Sequence, residues 1–375
     1  MRSRFLKRAT KRLFSMHRGL LLLTFILSFF GLMMQYSAAG GDASVFAVPQ
    51  AMRLALGVGL MLVLAMIPPS LIFRSSYTIY GLCVGLLVMV DLVGMMGLGA
   101  QRWVGVGGAS LQPSELMKIG IILALARYFQ TVTLDNARHY ILLIIPAFLT
   151  LIPVGLILKQ PNLGTATIVS VIAFCMCFMA GIRWWYFAGV LCAAAGTVPV
   201  AYHMLHDYQK QRVLTFLDPS TDPLGAGYNI IQSKIAIGSG GFLGKGLLNG
   251  SQGQLDFLPE KQTDFIFTMT AEELGFVGSL ILLVLYALLI SFAMRLAVHS
   301  RNTYGRLLSA GVAAMLFIHI FINMAMVMGM IPVVGVPLPF LSYGGSFLLA
   351  TLMACGLLQH VYINRDQAMP RRRIS

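Results

Sequence analysis

Charge is what this sequence has least of. Asp, Glu, Lys and Arg make up 11% of its 375 residues, against about 25% in an ordinary soluble domain. Acidic side chains are the scarcest, 13 against 27 Lys and Arg. So few charges cannot cover a water-facing surface, which excludes the roughly two or three soluble domains that the length alone would suggest. Cysteine is also sparse. All five (Cys83, Cys175, Cys177, Cys192 and Cys355) fall inside apolar stretches, and no disulfide is predicted. Cys175 and Cys177 are two apart and point to different sides of a helix, which argues against a metal site. Internal repeats are lacking too, and with them the inverted-repeat signature of many transporters.

Apolar residues are plentiful, at 58% of the chain with 38 Gly, 23 Met and 23 Phe. That excludes disorder. The expectation is an all-α, polytopic integral membrane protein. A helix needs about 20 apolar residues to cross the hydrocarbon core. On that rule about ten transmembrane helices are predicted, at roughly 19–37, 51–72, 77–98, 112–130, 139–158, 163–181, 184–203, 266–295, 306–330 and 342–363. The first competes with a cleaved signal peptide, but its length and the spans that follow favour a membrane helix.

A net charge of +14 can signal nucleic-acid binding. Here the excess sits at the ends and in short connections, among them Arg74, Arg127, Arg138, Arg183, Arg295, Arg301 and Arg306. That is the positive-inside pattern. It predicts cytoplasmic N- and C-termini, contact with membrane lipids and no nucleic-acid partner. The expected domains are a basic tail over 1–18, a transmembrane domain over 19–364 and a basic tail over 365–375. One large extracytoplasmic loop, about 204–265, lies between spans seven and eight. Within it Tyr228–Ile237 has apolar residues at helical spacing, which predicts a short interfacial helix.

Charges inside a bilayer are functional hypotheses by default. Glu115 and Lys118 are three apart, share a helix face and can pair; a self-neutralising structural pair is the bland alternative. Asp91 reads as a hydrogen-bonding partner for a neighbouring helix, and Glu272 with Glu273 stand early in span eight. His319 and Asn323, four apart, read as an interhelical hydrogen-bonding pair.

The strongest cluster is LPEKQTDFIF, Leu258–Phe267. Asp264 stands at the apolar start of span eight, where partial desolvation favours the neutral carboxyl and suits a general base. Against this stands a plain N-cap, a common role for Asp. Glu260, four residues earlier, shares its face if the segment is helical. Arg102, Lys118, Arg212, Lys234 and Lys245 are the cations available to gather at this surface, and fixed cations with Gly-rich backbone can hold pyrophosphate. The run GSGGFLGKG, Gly238–Gly246, is not a P-loop, because Lys245 lacks the following Ser or Thr. Its glycines alternatively make tight turns. IPVVGVPLPFLSYGGS, Ile331–Ser346, is uncharged and rich in Pro and Gly, and reads as a rigid lining loop.

These motifs together resemble the SEDS family of shape, elongation, division and sporulation proteins. They are QRWVGVGGASLQPSELMK (Gln101–Lys118), KQPNLGTA (Lys159–Ala166), GAGYNIIQSKIAIGSGGFLGKG (Gly225–Gly246), FLPEKQTDFIF (Phe257–Phe267), AEELG (Ala271–Gly275) and PVVGVPLPFLSYGGS (Pro332–Ser346). The likeness leans to the elongation-type, RodA-like branch.

The resemblance implies a peptidoglycan glycosyltransferase of the bacterial inner membrane, polymerising lipid II with inversion and release of undecaprenyl pyrophosphate, its active site on the periplasmic side. It implies a class B penicillin-binding protein as partner. Asp264 matches the family's essential acidic residue, and Glu115 with Lys118 a pair in the same cavity, with Glu260 nearby. Arg102, Arg212, Lys234 and Lys245 are candidates to hold pyrophosphate or sugar. No cofactor is certain; a divalent cation would suit the leaving group, though no ligand set is visible. Two positions depart from the family: Gln262 where His is frequent and Asn162 where Asp is usual. A lipid II flippase, a non-catalytic scaffold and a division-type paralogue are the alternative readings.

Overall fold

The computed structural model describes residues 12–97, 100–106, 109–131, 141–204, 210, 214–216, 218, 225–255 and 257–367. Helix dominates. In chain order the elements are α1 (Arg18–Ala38), α2 (Ala47–Met66), α3 (Pro69–Val93), β1 (Met95–Gly97), β2 (Ala100–Val106), β3 (Ala109–Leu111), α4 (Pro113–Thr131), α5 (Ile141–Lys159), α6 (Leu163–Met179), α7 (Trp184–Met204), α8 (Ala226–Ser239), the single turn α9 (Ser251–Gln254), α10 (Ile266–His299), α11 (Thr303–Val327) and α12 (Gly345–Asn364).

Each predicted span overlaps a helix, though 51–72 runs across the break between α2 and α3. Among the described residues six of them, α1, α2, α3, α10, α11 and α12, are long and apolar enough to cross a membrane, and α5 and α6 carry shorter apolar stretches. The backbone of a membrane helix must satisfy itself, and local capping helps at the ends. Asn162 Oδ1 accepts from the Thr165 N–H at 3.2 Å at the start of α6, and Asn302 Oδ1 from Gly305 N–H at 2.6 Å at the start of α11.

The all-α expectation needs one correction. The apolar run predicts that span three reaches 98, but α3 stops at Val93 and the chain enters a small antiparallel sheet in the order β1-β2-β3. Trp103 pairs with Met95, and Val104 with Leu111. Trp103, Val104 and Val106 are β-branched or aromatic residues that suit a strand, and Gly94 and Gly97 interrupt the helical run.

The centre consists of α4, α11 and α12. Sixteen of the nineteen residues of α4 are buried, from Pro113 to Gln130. Around them α1, α3, α5 and α10 turn large apolar side chains outward, such as Leu22, Phe25 and Phe29 on α1 and Ile281, Val284 and Leu288 on α10. Outward Leu and Phe are costly in water and favourable in lipid. The predicted short helix of the large loop is α8. It is tied to its neighbours by Ser233, whose Oγ meets Thr268 Oγ1 and the Val327 carbonyl, each at 2.7 Å. Its other face exposes Ile231 and Ile235.

Candidate functional site

Asp264 lies in the non-helical turn that leads into α10. The N-cap position of α10 is Phe265, one residue after Asp264. The turn is held through its carbonyls. Gln262 O accepts from Gln35 Nε2 of α1 at 2.9 Å and from the Tyr343 N–H at 2.8 Å. Thr263 O accepts from Ser342 Oγ at 2.6 Å. Asp264 O accepts from Asn323 Nδ2 of α11 at 2.8 Å. Three consecutive carbonyls are thus fixed by three different parts of the chain.

The same groups fix the Pro- and Gly-rich loop before α12. Gln35 also donates to Leu341 O at 2.7 Å, Asn323 to Val336 O at 2.7 Å, and Ser342 Oγ accepts from Leu338 N–H at 2.7 Å. Tyr286 of α10 donates to Pro339 O at 2.5 Å. The predicted lining loop is therefore rigid, and it lies on the carboxylate. A Cβ built on Gly335, at φ 70°, would stand 3.3 Å from Asp264 Oδ2. Next to it, a Cβ on Gly164 would stand 2.9 Å from Val334 O, so the N-terminus of α6 closes on the same loop.

One helical turn along α11 from Asn323 stands His319. Four residues rise about 6 Å. His319 and Asn323 each reach a different element, the interhelical hydrogen bonding expected of them. His319 Nδ1 meets its own Met315 O at 2.7 Å, which leaves Nε2 to accept from Lys118 Nζ at 2.8 Å. Lys118 also pairs with Glu115 Oε2 at 2.6 Å, and its ammonium lies 5.3 Å from the Phe347 ring centre. Lys118 is 1% exposed and Glu115 4%. The predicted pair therefore exists, with a histidine and an aromatic ring completing its surroundings.

Removing Lys118 would leave the Glu115 charge buried. Lys118→Ala is expected to cost on the order of 3–5 kcal/mol, read as a fall in thermal stability of the detergent-solubilised protein. Glu115→Gln added to it should recover most of the loss. An equal loss in single and double variants would contradict the pairing account.

The other candidate cations have different partners. Arg102 donates from Nη2 to Pro161 O at 2.6 Å and from Nε to Gln160 O at 3.3 Å, bracing the turn before α6. Lys245 forms an ion pair with Glu272 Oε1 at 2.7 Å and donates to Ser251 Oγ at 2.8 Å, so its charge is already met. Lys234 is exposed on α8, with Nζ 2.8 Å from where a Cβ on Gly329 would be. Arg212 lies outside the described residues. Glu260 does not share a helix face with Asp264, because the segment is a turn; Glu260 has φ 57° and its Oε2 accepts from Thr263 Oγ1 at 2.9 Å. Asp91 accepts from Gln160 Nε2 at 2.9 Å, the hydrogen-bonding role expected of it.

The Gly-rich run docks against α10. Gly275 interrupts α10 with φ 65° and ψ −160°. Into that break docks the run Gly240–Gly246, with Lys245 N–H donating to Glu272 O at 3.0 Å, Gly246 N–H to Glu273 O at 2.9 Å, and Phe276 N–H to Gly241 O at 2.9 Å. Glu272 and Glu273 are wholly buried. Glu272 accepts from the Gln252 and Gly253 N–H groups besides Lys245, and Glu273 accepts from Ser37 Oγ at 2.6 Å. These carboxylates hold the loop to α1 and α10.

Two departures noted in the sequence acquire a physical reading. Asn162 is the α6 N-cap, a role Asn and Asp fill equally well. Gln262 contributes its backbone carbonyl to the turn. Gln35 is the supporting residue that sequence reasoning does not single out; a polar amide late in an apolar span is its available signal. Among the described residues no three His, Cys, Asp or Glu gather into a metal-holding group.

Comparison with known proteins agrees across the chain. Residues 13–367 match the FTSW_RODA_SPOVE family, described as Cell cycle protein. The chain is 41% identical over 348 residues to the peptidoglycan glycosyltransferase MrdB of Escherichia coli K12, covering 92% of this chain and 93% of that one. It is 37% identical over 353 residues to the stage V sporulation protein E of Bacillus subtilis, covering 91% and 95%. Among solved structures, one described as structural coordination of polymerization and crosslinking by a peptidoglycan synthase complex superposes with TM-score 0.82, 38% identity and coverage of 94% and 99%. The crystal structure of the rod shape determining protein RodA of Thermus thermophilus gives 0.71, 32% and coverage of 94% and 98%.

Proposed function

The chain belongs to the FtsW/RodA/SpoVE family of cell cycle proteins, and we propose from that premise how its residues work. It is a multi-pass membrane protein and a peptidoglycan glycosyltransferase of the RodA type. Its substrate is lipid II, and Asp264 is the general base. The carboxylate takes the proton from the acceptor sugar's 4-hydroxyl. That oxygen then attacks the donor's anomeric carbon, the bond from that carbon to the lipid diphosphate breaks, and undecaprenyl diphosphate leaves with inversion. The proton on Asp264 passes to water. A positioned base gives typically about 10²–10⁴-fold, so orientation and charge stabilisation at the leaving group supply the rest. No nucleotide is needed, since the donor carries its own diphosphate.

One observation carries this reading. The Asp264 turn is held by carbonyl hydrogen bonds from α1, α11 and the loop before α12, which is the rigid support a reacting group needs. Lys118, paired with Glu115, meets His319, which stands one helical turn along α11 from the Asn323 that holds this turn.

The finer topology is part of the proposal. Ten crossings, both termini in the cytoplasm and the Asp264 turn on the periplasmic side fit the distribution of basic residues. A class B penicillin-binding protein is the partner that crosslinks the product. The relative solved as a peptidoglycan synthase complex coordinates polymerization with crosslinking, which supports such a pairing.

The test is direct. Purified protein, with and without a class B partner, is incubated with lipid II and the products are separated on a gel. Glycan strands are the expected result. Translocation of labelled lipid II in vesicles without any lengthening would replace this reading with that of a flippase.

A further inference from the structure

Among the described residues Arg53 is a cation without an anion. It stands near the start of α2, its guanidinium carbon 4.5 Å from the centre of the Tyr343 ring. Its Nη1 is buried and has no hydrogen-bond partner among the described residues. An unmet donor on a charged group is costlier than a neutral one, and such a group in a native fold calls for a reason.

The surroundings sharpen the question. A Cβ on Gly345 would lie 3.5 Å from Arg53 Cδ and Nε, which puts the side chain beside the first residue of α12. That helix has Gly344 as N-cap and no side-chain cap bond. Ser346 Oγ, in its first turn, instead accepts from Gln112 N–H at 2.9 Å and donates to Ser110 O at 3.2 Å. First-turn N–H groups carry partial positive charge. A guanidinium beside them is repelled unless an anion lies between the two. Tyr343 connects this corner to the candidate base, since its N–H donates to Gln262 O, two residues before Asp264.

We propose that Arg53, oriented by Tyr343 and aided by the first-turn amides of α12, binds the diphosphate of the lipid-linked donor and product. The fork of a guanidinium matches phosphate oxygens two at a time, and helix N-termini accept phosphate readily. Arg102 and Lys245 are engaged by carbonyls and by Glu272, whereas Nη1 of Arg53 is not met by the described chain. The assignment rests on the reading of Asp264 as the catalytic base, because only that reading brings a diphosphate to this corner.

The experiment titrates full-length protein in detergent with inorganic pyrophosphate and, separately, farnesyl diphosphate. The variants are Arg53→Gln, Arg53→Lys and Asp264→Asn. Wild type and Asp264→Asn should bind both probes. Arg53→Gln should weaken both at least tenfold, and Arg53→Lys should fall between. A loss confined to farnesyl diphosphate would overturn a diphosphate site in favour of an apolar one. Unchanged affinity in Arg53→Gln overturns the proposal outright. Should that variant not fold, wild-type affinity in Arg53→Lys overturns it, because a guanidinium fork is what is claimed. Polymerisation of lipid II by Asp264→Asn would instead overturn the catalytic reading, whatever the Arg53 variants bind.

Discussion

Asp264→Asn is expected to abolish glycan polymerisation by the purified protein, lowering the rate by about 10²–10⁴-fold or more. The fold should remain, with thermal stability changed by about 1 kcal/mol or less. Asn keeps the size of the side chain and one acceptor oxygen but cannot take the proton. The supports of the turn act on backbone carbonyls, from Gln35, Ser342 and Asn323, and all of them survive the substitution. Glu260→Gln is the contrasting control. Glu260 is exposed and accepts from Thr263 Oγ1, so its loss should change the rate by less than about tenfold. A full rate in Asp264→Asn, or an equal loss in Glu260→Gln, would remove Asp264 from its role.

Much of the fold is legible because lipid demands long apolar runs, and those runs stand in the sequence in order. Pairing within a helix turn is legible too: Glu115 and Lys118 are three apart, and their ion pair follows from helix geometry alone. What is not legible is any partnership across the chain. Lys118 meets His319 at a separation of 201 residues, and Gln35 meets Gln262 at 227. Spacing carries no signal for such contacts. Lys245 reads as a free cation beside a Gly-rich run, because nothing local shows that Glu272 neutralises it. The start of the sheet was hidden for a different reason: Met95 and Met96 of β1 extend the apolar run of α3, and the first charge, Arg102, comes only within β2.

The Gly-rich run and Gly275 show the same limit from the side of backbone, and they give the second large expectation. Gly275→Ala should destabilise the protein by about 3 kcal/mol or more. At φ 65° and ψ −160° the backbone is in a region that is essentially Gly-only, at a cost of order 1–3 kcal/mol for other residues. Overpacking adds to it, since the new Cβ would collide with the backbone nitrogen of Gly244. The docked run could then not sit in the break of α10, and the bonds from Lys245 and Gly246 to the Glu272 and Glu273 carbonyls would be lost. Buried Glu272 would lose the Lys245 ammonium with them. Gly238→Ala supplies the internal comparison. Gly238 is in the same run but inside α8, with nothing within 4 Å of an added Cβ. Ala there should be neutral or stabilise by up to about 1 kcal/mol. Thermal unfolding in detergent, with limited proteolysis of the run, reads both. If the two substitutions behave alike, the glycines serve only as turns, and the break in α10 is not the socket that holds the Gly-rich run.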